Sequence, residues 1–364
     1  ALWYKEHTNA SWYKLIDTTG GTFTGQIGGA SGASNVGTIT IASSQTGTFK
    51  NNVAATTITI SGTMIVDSAA TPAAITVRGA INGGSSGVGS LTVQNSGTTT
   101  FTGIIGGTRI NALTISQATT FNDAVSATTL STTAAISNGT TLNVSSTSSI
   151  GADITTSGTQ TYTGAVTVSG GDRTLTTSAT SAGDTIVFGS TVDSDGGTAR
   201  ALTITTGSST PTVRFNGVVG GTNPLGAIAI TGALDLNAII QKTTGSSAGA
   251  ASLTVSGVSD LGANVNTSGI QTYSGAVTLS GADRTLTGTT ITNTSTIAGG
   301  TNSLTITGAS VINGAISGVN IFSVSGTTSI GADVTTSSTQ TYTGAVTVNG
   351  ATRTLTTSAT SAGD

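Results

Sequence analysis

Ser148-Ser149-Ile150-Gly151-Ala152-Asp153-Ile154-Thr155-Thr156-Ser157-Gly158-Thr159-Gln160-Thr161-Tyr162-Thr163-Gly164-Ala165-Val166-Thr167-Val168 is built from apolar and hydroxyl residues that alternate in three- to five-residue runs between glycine-bearing corners. Alternation of this kind is the signature of short β-strands with one buried face. Continued to Asp184, the stretch recurs as Thr328 to Asp364, 180 residues on, with about six differences over about 37 positions. A more diverged copy runs from Ser259 to Leu286. Each copy carries Gln-Thr-Tyr, at Gln160 to Tyr162, Gln271 to Tyr273 and Gln340 to Tyr342.

The same corner frame appears along most of the chain. An aromatic residue, a turn and a Val or Ile follow one another at Phe23-Thr24-Gly25-Gln26-Ile27, Phe101-Thr102-Gly103-Ile104-Ile105, Phe121-Asn122-Asp123-Ala124-Val125 and Phe215-Asn216-Gly217-Val218-Val219. A second strand type is the triplet Leu91-Thr92-Val93, Leu113-Thr114-Ile115, Leu202-Thr203-Ile204, Leu253-Thr254-Val255 and Leu304-Thr305-Ile306. The spacing of the three tyrosines suggests a unit of about 22 to 23 residues. Such a unit cannot bury its apolar face alone, so it must stack, each strand parallel to the same strand of the previous turn. The expectation is an all-β chain folded as a parallel β-solenoid, or β-helix, with coils of about 20–28 residues. A string of immunoglobulin-like sandwiches is the rival, but its period of about 90 to 100 residues does not fit tyrosines 111 and 69 residues apart.

Composition supports extended structure and excludes several functions. Of 364 residues only 7% are charged and 52 are glycine; helix formers are scarce and β-branched residues abound. The 35% hydrophobic content is too high, and too evenly distributed, for a disordered chain. A net charge of −3 with scattered basic residues argues against a nucleic-acid partner. No apolar run reaches the length of a membrane span. With no cysteine, disulfides and thiolate chemistry are ruled out.

Two domains are expected: an atypical aromatic N-terminal segment, 1–19, and a continuous β-solenoid, 20–364. The first holds both tryptophans, the only histidine and the only glutamate. Trp3-Tyr4 and Trp12-Tyr13 read either as a cap over the first coil or as an assembly contact, since Trp and Tyr dominate interface hot spots. The third copy stops at Asp364, where the first runs on into Thr185-Ile186-Val187-Phe188, which predicts a solenoid continuing beyond 364.

No constellation here predicts an enzyme. Asp172 and Asp283 precede Arg173 and Arg284, but Thr352 precedes Arg353, so the acid is absent from one copy. His7 has no histidine or cysteine partner. The one cation candidate is Asp193-Ser194-Asp195-Gly196-Gly197, two carboxylates at a glycine turn of the kind calcium accepts. The tandem nonapeptide of calcium-loaded β-rolls is missing, so the cofactor expectation is none, with structural Ca²⁺ at Asp193 and Asp195 as the exception. Asp153, Asp260 and Asp333 read as turn residues that cap local amides.

Strands such as Gly164-Ala165-Val166-Thr167-Val168-Ser169-Gly170 and Leu304-Thr305-Ile306-Thr307-Gly308 resemble the β-strand repeats of large bacterial surface proteins. These include autotransporter passengers, filamentous-haemagglutinin-like adhesins and some surface-layer or extracellular-filament proteins. The resemblance implies a right-handed parallel β-helix displayed outside the cell. With no active site, no basic patch and one aromatic segment as a candidate joint between subunits, the expected role is structural or adhesive, with self-association into a homopolymer and contacts to cell surfaces or glycans. The alternative is a carbohydrate-binding or carbohydrate-cleaving solenoid such as a phage fibre, where carboxylates on adjacent coils act on sugars.

Overall fold

Alternating residues of this kind can bury only one face of a strand, and the chain meets that limit by stacking. The computed structural model describes residues 2–6, 12–16, 20–29, 35–67, 73–180, 183–208, 211–245 and 247–358. Every regular element among them is a β-strand. The chain divides into two compact units, Ala1–Gly170 and Gly171–Asp364, each a parallel β-solenoid.

In the first unit the coil has three sides, each a parallel ladder. One side stacks Ile39, Ile58, Ile81, Ile105, Val125, Leu142 and Gln160 in register. A second stacks Phe23, Phe49, Val66, Val93, Ile115, Thr132, Ile150 and Val168. The third carries Val53, Val77, Phe101 and Phe121, then Ile136 and Ile154. These side chains point inward and are almost all buried, while the residues between them, chiefly Thr and Ser, face out. Strand periodicity of two is the cause.

The second unit repeats the plan. Leu175, Ile204, Ile230, Val255, Tyr273, Asn293, Ile312, Ile330 and Val348 stack on one side. Phe188, Phe215, Leu236, Leu261 and Leu279 lead a second. Val192, Val219, Ile240, Val265, Leu286, Ile306, Val324 and Tyr342 form the third.

The plainest coil is 18 residues, as from Leu142 to Gln160 or Ile312 to Ile330. The 20–28 residues expected from sequence describe the coils that carry corner loops; the longest register offset is 29, from Leu175 to Ile204. The tyrosine spacing misleads for a geometric reason. Tyr273 and Tyr342 stand on different sides of the coil, so their separation is not a whole number of turns. The aromatic frame marks a corner, and any of three corners can carry it.

Some strands run around a corner without a break. Arg284–Asn293 and Leu304–Ile312 pair through Arg284 to Thr287, slip, and pair again through Thr290 to Asn293. The bend in the second falls at Gly308, at φ +134°, where a Cβ would collide with the Gly288 carbonyl oxygen. Only glycine fits both constraints.

At the N-terminus the direction changes. Strand β1 (Leu2–Glu6) pairs antiparallel with β2 (Trp12–Ile16). It also pairs antiparallel with β4 (Val36–Ile41), which follows the short β3 (Gly21–Phe23) and belongs to the first solenoid side.

Candidate functional site

The chain's corner residues carry most of its polar chemistry, and they use it between coils. A corner turns the backbone out of the ladder and leaves amides without strand partners, and buried or half-buried amides need acceptors. Asp172 Oδ1 accepts from the Ala201 N–H at 2.8 Å, Asp283 Oδ1 from Ser303 at 2.7 Å and Asp333 Oδ1 from Thr354 at 2.9 Å. Asn52, Asn82 and Asn264 accept from Thr76, Thr108 and Thr285 in the same way. The acids preceding Arg173 and Arg284 are thus fasteners to the next coil. Asp333 acts at a distance of 21 residues, where the sequence suggested a local cap. Asp260 is no turn residue: it lies mid-strand in Ser259–Leu261, facing out.

At the calcium candidate both carboxylates have partners within the chain. Asp193 Oδ1 accepts from the backbone N–H groups of Thr222 at 2.9 Å and Asn223 at 3.1 Å. Asp195 holds Arg200 through both carboxylate oxygens, at 3.0 and 3.3 Å. A carboxylate engaged by N–H donors keeps fewer lone pairs for a cation. Among the described residues no group of three or more His, Cys, Asp or Glu could hold a metal.

Trp3 and Tyr4 lie in β1, Trp12 and Tyr13 in β2, with Trp3 opposite Lys14 and Tyr4 opposite Tyr13. Tyr4 also stands opposite Ile39 of the first solenoid side. Their side chains, and the whole of His7, lie outside the described residues.

Two arrangements escaped sequence reading. The first is a clamp at each Gln-Thr-Tyr. Tyr162 Oη donates to Gln160 Oε1 at 2.9 Å, Gln160 Nε2 to Thr156 Oγ1 at 3.2 Å, and that hydroxyl to the Gly158 carbonyl at 2.8 Å. Thr267, Gln271 and Tyr273 repeat it, and so do Thr336, Gln340 and Tyr342. Burial pushes the phenols of Tyr162 and Tyr273 far up, and that of half-buried Tyr342 up to about 12. The spacing Thr-x-x-x-Gln-x-Tyr was visible in all three copies; what hid it is that Gln usually faces water.

The second is a ladder of charge on the outer face of the second unit. Arg214, Asp235 and Asp260 lie in register on successive coils, and Arg214 Nε meets Asp235 Oδ2 at 2.7 Å. Arg284 is buried: its Nε donates to the Leu261 carbonyl at 2.8 Å and its Nη2 to Ser280. Desolvation lowers the pKa of its guanidinium, and Asp260 and Asp283 partly oppose that shift.

No described helix is long and apolar enough to cross a membrane. Comparison with protein-family models, curated proteins and solved structures found no match for the chain.

Proposed function

We propose that the chain is an extracellular structural and adhesive protein of a bacterial surface. In this role it forms or decorates a filament, sheath or layer through contacts between subunits. The observation that carries this reading is the use made of the polar side chains. Corner Asp and Asn residues, and the Gln of the second and third clamps, bond one coil to the next. Such a chain resists separation of its coils and presents repeated Thr and Ser rows to its surroundings. Both suit a load-bearing or display role. The class resemblance to β-strand repeat proteins supports export to the cell surface.

Electron microscopy of the purified native protein at micromolar concentration tests the reading. Ordered end-to-end polymers are expected, and dispersed monomers with no longer-range order would overturn it. The double variant Trp3→Ala, Trp12→Ala assigns the N-terminal hairpin: lost polymerisation makes it an assembly contact, and unchanged polymerisation leaves it a cap.

A second reading, a carbohydrate-active solenoid, is favoured by the register of Asp235 with Asp260 on adjacent coils. Release of reducing ends from a polysaccharide, abolished by Asp260→Asn, would establish it.

A further inference from the structure

In the second unit one corner is enlarged in three consecutive coils. A plain coil crosses this corner in three residues, 325–327, between Val324 and Thr328. The chain instead takes 193–201 after Val192, 220–224 after Val219 and, with Ser246 outside the described residues, 241–245 and 247–249 after Ile240 before the next side begins. Ordering these residues costs backbone entropy of about 1–2 kcal/mol each, and they add little to the apolar core. In solenoids such insertions, stacked on one face, commonly build the binding surface.

The loops are bonded to one another. Asp193 binds the amides of Thr222 and Asn223, the Ser194 N–H donates to the Asn223 carbonyl at 3.1 Å, and Thr243 donates from N and Oγ1 to the Gly221 carbonyl at 2.9 and 3.0 Å. Ser194 Oγ donates to the Thr198 carbonyl and accepts from the Arg200 N–H, both at 2.9 Å, which fixes the first loop. Between the first two loops lies an open groove of about 160 Å³ lined by Ser194, Gly196 to Ala199, Asn223 and Pro224. The Asn223 amide lies against Gly196, at φ +60°, and makes no side-chain hydrogen bond to any described residue.

We propose that this corner is a lateral binding site for a neutral sugar unit of a polysaccharide. The charges at the site cancel or are already satisfied: Asp195 is paired with Arg200, and Asp193 is held by amides. That disfavours an ionic ligand. The Asn223 amide, without a side-chain partner among the described residues, both donates and accepts, matching a hydroxyl pair on a sugar ring. The proposal rests on the adhesive side of the reading above and names the ligand class.

The test uses the whole chain, dispersed, with cellohexaose, maltohexaose and mannohexaose as neutral probes and trigalacturonate as the acidic one, read by titration calorimetry. At least one neutral hexaose should bind, and Asn223→Ala should weaken it about tenfold with an unchanged thermal midpoint. Asn223→Trp, which fills the groove, should abolish it. Failure of all three neutral sugars, binding of trigalacturonate alone, or neutral binding untouched by both variants would overturn the proposal. Because polymerisation is read separately by microscopy, failure here does not bear on the assembly result.

Discussion

Ser148, Ser259 and Thr328 occupy the same position in the three sequence copies, facing inward at the start of a strand, and their hydroxyls are buried without a hydrogen-bond partner. A buried unpaired hydroxyl costs about 1–3 kcal/mol. Ser148→Ala and Thr328→Val should therefore raise stability by about 1 kcal/mol each, seen as a higher urea midpoint at unchanged slope. The clamp residues behave oppositely. Tyr273→Phe strands the Gln271 Oε1 acceptor and should cost about 1–3 kcal/mol, with a smaller loss for Tyr342→Phe, whose site is half-buried. The pH dependence follows from the same burial. A phenol ionises near 10 in the unfolded chain, and Tyr342 is pushed up to about 12 in the folded one. Its neutral form is thus favoured by folding. The stabilisation is complete below pH about 10 and is lost as pH rises towards about 12. Spectrophotometric titration should show Tyr342 ionising late, with Tyr162 and Tyr273 ionising only as the coils open.

At the scale of the element, the corners decide whether a side can continue. Gly308→Ala places a Cβ against the Gly288 carbonyl at a positive φ and should cost about 1–3 kcal/mol or more by thermal denaturation. The stacked rings of Phe188 and Phe215, 4.8 Å apart and 6° from parallel, hold neighbouring coils together. Phe215→Ala should remove about 3–5 kcal/mol. Strand alternation such as Leu304-Thr305-Ile306 gave inward and outward faces directly, because the period of two has one reading once a core exists. The number of sides was not legible. Phe101 and Phe121 share one side while Phe49 lies on another, and nothing local to those motifs says which corner is being turned. The cross-coil bonds of Gln271 and Arg284 were hidden for a related reason: their acceptors, the Thr287 and Leu261 carbonyls, lie on adjacent coils, 16 and 23 residues away.

For the whole molecule, repetition made the solenoid legible, since copies 180 residues apart with short alternating strands leave few other ways to bury an apolar face. Function was less so. Asp193 and Asp195 stand out in sequence as a cation turn, yet in the fold one fastens the loop of the next coil and the other holds Arg200. Asn223, thirty residues downstream, gives no sequence signal, because only stacking places it over Gly196. An assembly role rests on copies of the chain joining to one another. Electron microscopy of the native protein at micromolar concentration decides it: ordered end-to-end polymers are expected, and a field of separate monomers without longer-range order would overturn it.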